Sequence, residues 1–132
     1  MTAARILIVE DERIVQLDLQ QRLRRMGHTV VGISATGEDA INQAAKLTPD
    51  LILMDVRLEG RMDGLEAARR IRANRRTPII YVTAYATTLG DASQDIFGPC
   101  LSKPFSASEL HAVIAKTLER RDTVSDENPD AQ

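Results

Sequence analysis

Five side chains able to do chemistry sit at the ends of apolar runs: Glu10 and Asp11 after "RILIV", Asp55 after "LILM", Thr83 closing "PIIYVT", and Lys103 after "CLS". Three carboxylates brought to close range repel one another and call for a cation. All-oxygen ligation at partial exposure suits Mg2+, which keeps several waters and uses one or two carboxylates. A lysine and a hydroxyl beside such a site suit a phosphoryl group, because the ammonium offsets its negative oxygens and the hydroxyl donates to one of them. Asp55 could then act as the nucleophile, since carboxylates form aspartyl phosphates.

These residues span ninety-odd positions, so the fold must gather them. Strand and helix signals alternate regularly along the chain. "RILIVE" (5–10) is a first strand; Val15, Leu19, Leu23 and Met26 then recur on one helical face, which Gly27 ends as a C-terminal cap. "HTVVGIS" (28–34) predicts a second strand, 38–47 a second helix closed by Thr48-Pro49, and "LILMD" a third strand. Residues 64–73 predict a third helix, "PIIYVT" (78–83) a fourth strand, 86–96 a weak helix interrupted by Gly90, and "CLS" (100–102) a short fifth strand. Ser106 or Ser108 caps a last helix with Leu110, Val113, Ile114 and Leu118 on one side. Five strands alternating with five helices imply an α/β fold: a doubly wound parallel sheet with helices on both faces. Unbroken apolar runs are what central strands covered on both faces require. In such a sheet ligands bind outside the carboxyl ends of the strands, and that is the rim where all five side chains fall.

A domain over residues 1–121 and an acidic tail over 122–132, expected to be disordered, account for the whole length. A net charge of −2 and 3% aromatics argue against nucleic-acid binding, and no run is long and apolar enough for a membrane span or a secretory signal. The single cysteine, Cys100, can form no internal disulfide, which fits a reducing cytoplasm, and its type suggests a small buried residue. Arg22, Arg24 and Arg25 read as a solvated helix face. "GISATGE" has the glycine spacing of a phosphate loop, but Glu38 stands where lysine is required. His28 and His111 lack the neighbours of a zinc site.

"ILIVEDE", "PDLILMD", "PIIYVTAY" and "LSKPF" together resemble the receiver domain of bacterial two-component response regulators over residues 5–121. The resemblance implies a flavodoxin-like sheet of order 2-1-3-4-5. It makes Asp55 the phosphoacceptor, supplied by a sensor histidine kinase or a histidine phosphotransfer protein. It also implies Mg2+ held by Glu10, Asp11, Asp55 and the backbone carbonyl of Arg57, with Asp11 the more direct acid of the pair. Thr83 would be the switch hydroxyl, with Ala84 the small residue beside it. Lys103 would pair with the phosphoryl group, and the bond to Pro104 would be cis. Such domains commonly meet an output partner through the stretch matching residues 86–121, and a homodimer stays open.

Two positions depart from the family pattern. Glu10 replaces the commoner aspartate, and Cys100 stands where a mobile aromatic is usual, so Tyr85 is a candidate for that switch role. Two other readings fit these residues less well. An aspartate-nucleophile phosphatase would need a second acid at Arg57, and a phosphorylation-independent scaffold would typically have lost Asp55 or Lys103.

Overall fold

The computed structural model describes residues 3–84 and 99–127, with residues 121–127 by backbone alone. The elements run β1 (Arg5–Val9), α1 (Arg13–Arg25), β2 (Thr29–Ser34), α2 (Gly37–Leu47), β3 (Leu51–Asp55), α3 (Gly64–Asn74), β4 (Ile79–Thr83), β5 (Cys100–Ser102) and α4 (Ala107–Glu127). The strands form one five-stranded sheet in the order β2-β1-β3-β4-β5, parallel throughout. This is the expected doubly wound arrangement.

Alternation along each strand divides the core in two. Leu7, Val9, Ile52, Met54, Ile79 and Tyr81 face α2 and α3, packing on Ala40, Ala44, Ala67 and Ala68, whose small side chains let these helices lie close. Ile6, Ile8, Leu51, Leu53, Ile80 and Val82 face the other way, onto Leu19 and Leu23 of α1 and Leu110 and Ile114 of α4. Every residue of β3 and of β4 is buried, including Asp55 and Thr83 at their ends.

Local signals set the helix boundaries. Thr36 Oγ1 accepts from Asp39 N at 3.1 Å, and Asp63 Oδ1 from Glu66 N at 2.9 Å. Ser106 rather than Ser108 caps α4, in a reciprocal box with Glu109: Glu109 N donates to Ser106 Oγ at 3.1 Å and Ser106 N to Glu109 Oε1 at 3.0 Å. Gly27 takes φ 92°, the left-handed conformation expected after α1.

The structure corrects two expectations. α4 continues to Glu127, past the boundary expected at residue 121. Asp122 to Glu127 contain neither glycine nor proline, and Pro129 is the first residue able to stop the helix, through its restriction on Asn128. Cys100, expected to be buried, is exposed on the edge strand β5. A three-residue edge strand covers little, and only its central Leu101 is buried. The weak helix expected over 86–96 and Tyr85 lie outside the described residues.

His28, at the foot of β2, is buried, and its Nδ1 accepts the Ala4 N–H at 3.0 Å. Burial, with a smaller contribution from His111, pulls its pKa below the usual 6.5. The folded state therefore binds its proton less readily than the unfolded chain. The stabilisation is fully present above about pH 6.5 and is lost progressively below it. Urea midpoints measured across that range, taken as wild type minus His28→Gln so that other groups cancel, should fall on acidification.

Candidate acidic phosphoacceptor site

The ends of β1 and β3 set the acids side by side. β1 pairs with β3 from Ile6↔Leu51 to Val9↔Met54, so Glu10 and Asp55 are the next residues in register. Oxygens of Glu10, Asp11 and Asp55 lie within 4.8 Å of one another. Lys103, carried in by the loop after β5, donates from Nζ to Glu10 Oε1 at 3.0 Å and to Asp55 Oδ2 at 3.3 Å. Lys103 N also donates to the Thr83 carbonyl at 2.9 Å, which ties the lysine loop to the end of β4. Glu10, Asp11, Asp55, Thr83 and Lys103 thus meet at one rim, as the strand ends predict, and the Lys103-Pro104 peptide is cis.

Several contacts fix the acids. Asp55 Oδ1 accepts from Arg57 N at 3.1 Å, and Asp11 Oδ2 from Glu59 N at 3.1 Å, so the β3–α3 loop turns its amides toward both aspartates. Glu10 Oε2 accepts the Glu12 N–H at 2.9 Å. Glu12 is the residue preceding α1, and its own side chain makes no capping bond, so Glu10 does part of that work. This acid lies inward: Glu10 is 1% exposed, whereas Asp11 is half-buried at the mouth.

Burial pushes the Glu10 carboxyl up to about 7; the Glu12 amide and Lys103 pull against this, and the Asp55 charge adds to it. Burial alone would lower Lys103. Its bonds to Glu10 and Asp55 and their charges outweigh that and hold it above its usual range. The lysine is therefore a fixed charge, and Glu10 is the group whose proton responds to what else enters the site.

Among the described residues, the one ammonium bonded to the three-carboxylate cluster leaves it short of positive charge. The donors are all hard oxygens, one of them at the solvent mouth. That set fits a hard divalent cation. Glu10, Asp11 and Asp55 are the side chains that would hold it, and the cation would offset both their repulsion and the charge of a phosphoryl group.

The family model described as "Response regulator receiver domain" matches residues 6–115. The chain belongs to that family. This receiver domain is 37% identical over 118 residues to the transcriptional regulatory protein PdtaR of Mycobacterium tuberculosis, covering 88% of this chain and 57% of that protein. It superposes on the anti-anti-sigma factor PhyR from Bartonella quintana with a TM-score of 0.85 at 30% identity, over 96% of this chain and 52% of that one. The receiver domain of the sensor histidine kinase PA1611 from Pseudomonas aeruginosa, solved with magnesium coordinated in its active-site cleft, matches at 36% identity with a TM-score of 0.80, over 89% of this chain and 99% of that one. The receiver domain spans about half the length of the curated relatives it matches.

Sequence reasoning missed two residues that shape this receiver site. Gly64 reads only as the start of a helix, yet a Cβ there would stand 2.1 Å from the Asp55 carbonyl oxygen. Gln16 reads as one polar residue among several on α1, yet it is buried against the Glu10 backbone. A glycine directly after the Asp63 cap was the one available signal for the first; the second had none.

Proposed function

We propose that this receiver domain takes a phosphoryl group from the phosphohistidine of a sensor kinase or histidine phosphotransfer protein onto Asp55, with Mg2+ as cofactor. The observation that carries the reading is the convergence of Glu10, Asp11 and Asp55 on Lys103, which bonds the acceptor carboxylate directly. Glu10, Asp11, Asp55 and the Arg57 carbonyl would hold the cation, with Asp11 the more direct acid of the first pair. A carboxylate oxygen of Asp55 attacks phosphorus as the bond to the histidine nitrogen breaks, and the departing imidazole keeps that electron pair and takes a proton. Bound Mg2+ supplies charge compensation for the phosphoryl oxygens. The Lys103 ammonium pairs with one such oxygen and the Thr83 hydroxyl donates to another. A phosphoryl group that contacts both better in one conformer shifts the population toward it. The shift would be read by an output partner at residues 86–121. The exposed Cys100 leaves no aromatic at its position on β5, which keeps Tyr85 as the candidate switch residue.

Among the described residues no helix is long and apolar enough to cross a membrane, and the reading sets the domain in the cytoplasm. The deciding experiment is incubation with Mg2+ and a small phosphodonor, followed by intact mass. One phosphoryl adduct on the parent and none on Asp55→Asn is the expected result; equal labelling of both proteins would remove the assignment.

A protein donor must approach over the mouth of the site, where α1 begins. Ile14 and Leu17 there are 82% and 44% exposed, an apolar pair one helical turn apart. Ile14→Asp should slow transfer from the cognate phosphohistidine protein by about tenfold or more, the loss of roughly 1.4 kcal/mol of contact. Labelling by the small phosphodonor should be unchanged, because that reagent needs no docking surface.

A further inference from the structure

All four polar atoms of Glu10 have partners within the chain. Its N–H donates to the Ser34 carbonyl at 2.9 Å, Oε1 accepts from Lys103, and Oε2 accepts from Glu12 N. Its carbonyl accepts from Gln16 Nε2 at 2.6 Å, a buried bond that phosphoryl chemistry does not itself require. Gln16 is 7% exposed, and its own N–H closes the first turn of α1 on the Glu12 carbonyl at 3.0 Å. Its carboxamide therefore reaches back across the β1–α1 turn to a rigid point of the helix.

The Glu10–Asp11 peptide is planar, so holding the Glu10 carbonyl also sets the direction of the Asp11 N–H and the position of its Cα. Glu10 is buried, and without the carboxamide its carbonyl would have to rotate to find another donor. Rotation of that plane would shift Asp11 relative to Asp55. We propose that Gln16 is a positioning residue for the cation pocket: by pinning the Glu10–Asp11 peptide it sets the affinity of Asp11 and Asp55 for a divalent cation. The inference rests on the reading that these aspartates bind Mg2+. Partners behind metal ligands commonly govern affinity by about 10–100-fold.

The test is Mg2+ titration of the wild type, Gln16→Met and Arg22→Met, followed by calorimetry and by the amide signals of Asp11 and Arg57. Methionine keeps the volume of Gln16 and removes its donor. Arg22→Met is the control on the same helix: it breaks the bonds from Arg22 to Asp18 and to the Phe105 carbonyl and removes no donor from the Glu10 carbonyl. Gln16→Met should bind Mg2+ about tenfold more weakly or worse, and Arg22→Met within about twofold of the parent. Gln16→Met binding as tightly as the parent overturns the proposal, and so does an equal loss in both variants, which would mark a general effect of α1 stability.

Should Gln16→Met not fold, the wild type still decides. Its Gln16 carboxamide protons should exchange slowly with solvent and shift on Mg2+ addition with the midpoint of the Arg57 amide. Fast exchange or an absent shift overturns the proposal. A wild type that binds no Mg2+ removes the cation reading itself, and this inference with it; Mg2+ binding that ignores Gln16 removes only the inference.

Discussion

Gly64→Ala is expected to lose most of the stability of the domain and its phosphorylation with it. The Cβ of alanine would fall 2.1 Å from the Asp55 carbonyl oxygen and 2.9 Å from both the Asp55 carbonyl carbon and Val56 Cα. All three are backbone atoms, so no side chain can swing aside. Gly64 N also donates to the Val56 carbonyl at 2.8 Å, and this bond draws the start of α3 against the residue after Asp55. Relief requires α3 to back away from β3, which opens the packing of Ala67, Ala68 and Ile71 on the sheet. Overpacking of this kind against an immovable neighbour costs about 3 kcal/mol or more, a large share of a small domain's stability. The contrast is Gly60, with φ 101° and nothing within 4 Å of an added Cβ. Gly60→Ala meets only backbone strain, about 1–2 kcal/mol. Urea denaturation of both variants checks the order, and a Gly64→Ala protein as stable as Gly60→Ala would show that the α3–β3 contact is not tight.

The difference between these glycines marks the limit of what the sequence reveals. Parallel topology alone dictates that residues ending apolar strands share a rim, so Glu10, Asp11, Asp55, Thr83 and Lys103 could be gathered from their places in the pattern. The two-sided burial of β3 and β4 was legible for the same reason: unbroken apolar runs have no solvent face. Cys100 was misjudged because residue type says nothing of whether an edge strand is covered. The end of α4 lies past residue 121 because no glycine or proline stands between Asp122 and Glu127. Gly64 and Gln16 depend on approaches of a few ångströms between segments distant in the chain, and no periodicity encodes those. The second partner of Lys103 belongs to the same class. A rim of acids predicts a cation among them, but not that the lysine bridges two carboxylates at 3.0 and 3.3 Å.

That bridge makes Lys103→Met the second variant with a large expected effect, and one whose size depends on pH. Glu10 is 1% exposed and the Asp55 side chain 7%, and Lys103 is the cation that bonds them both. Methionine fills much of the same volume without the charge, leaving two buried carboxylates to repel. Breaking a buried ion pair from one side costs about 3–5 kcal/mol while the remaining charge persists. Glu10 can escape part of that cost by taking a proton. Its folded pKa, already up to about 7 through burial, rises further without Lys103, which pulls it down. A carboxyl that binds its proton more tightly in the folded state is stabilising below its unfolded value of 4.5, and that contribution is lost as pH rises through the folded value. In metal-free protein the deficit of Lys103→Met should therefore approach about 3 kcal/mol near pH 8, shrink as pH falls toward about 7, and level off below that, where Glu10 holds its proton in both proteins. Added Mg2+ should narrow it at the higher pH by replacing the missing charge, while labelling by a small phosphodonor stays low because the phosphoryl oxygens lose their ammonium partner. Urea midpoints in chelator at both pH values give the comparison. A deficit that widened on acidification would mean that Lys103 does not offset the Glu10 and Asp55 charges at all.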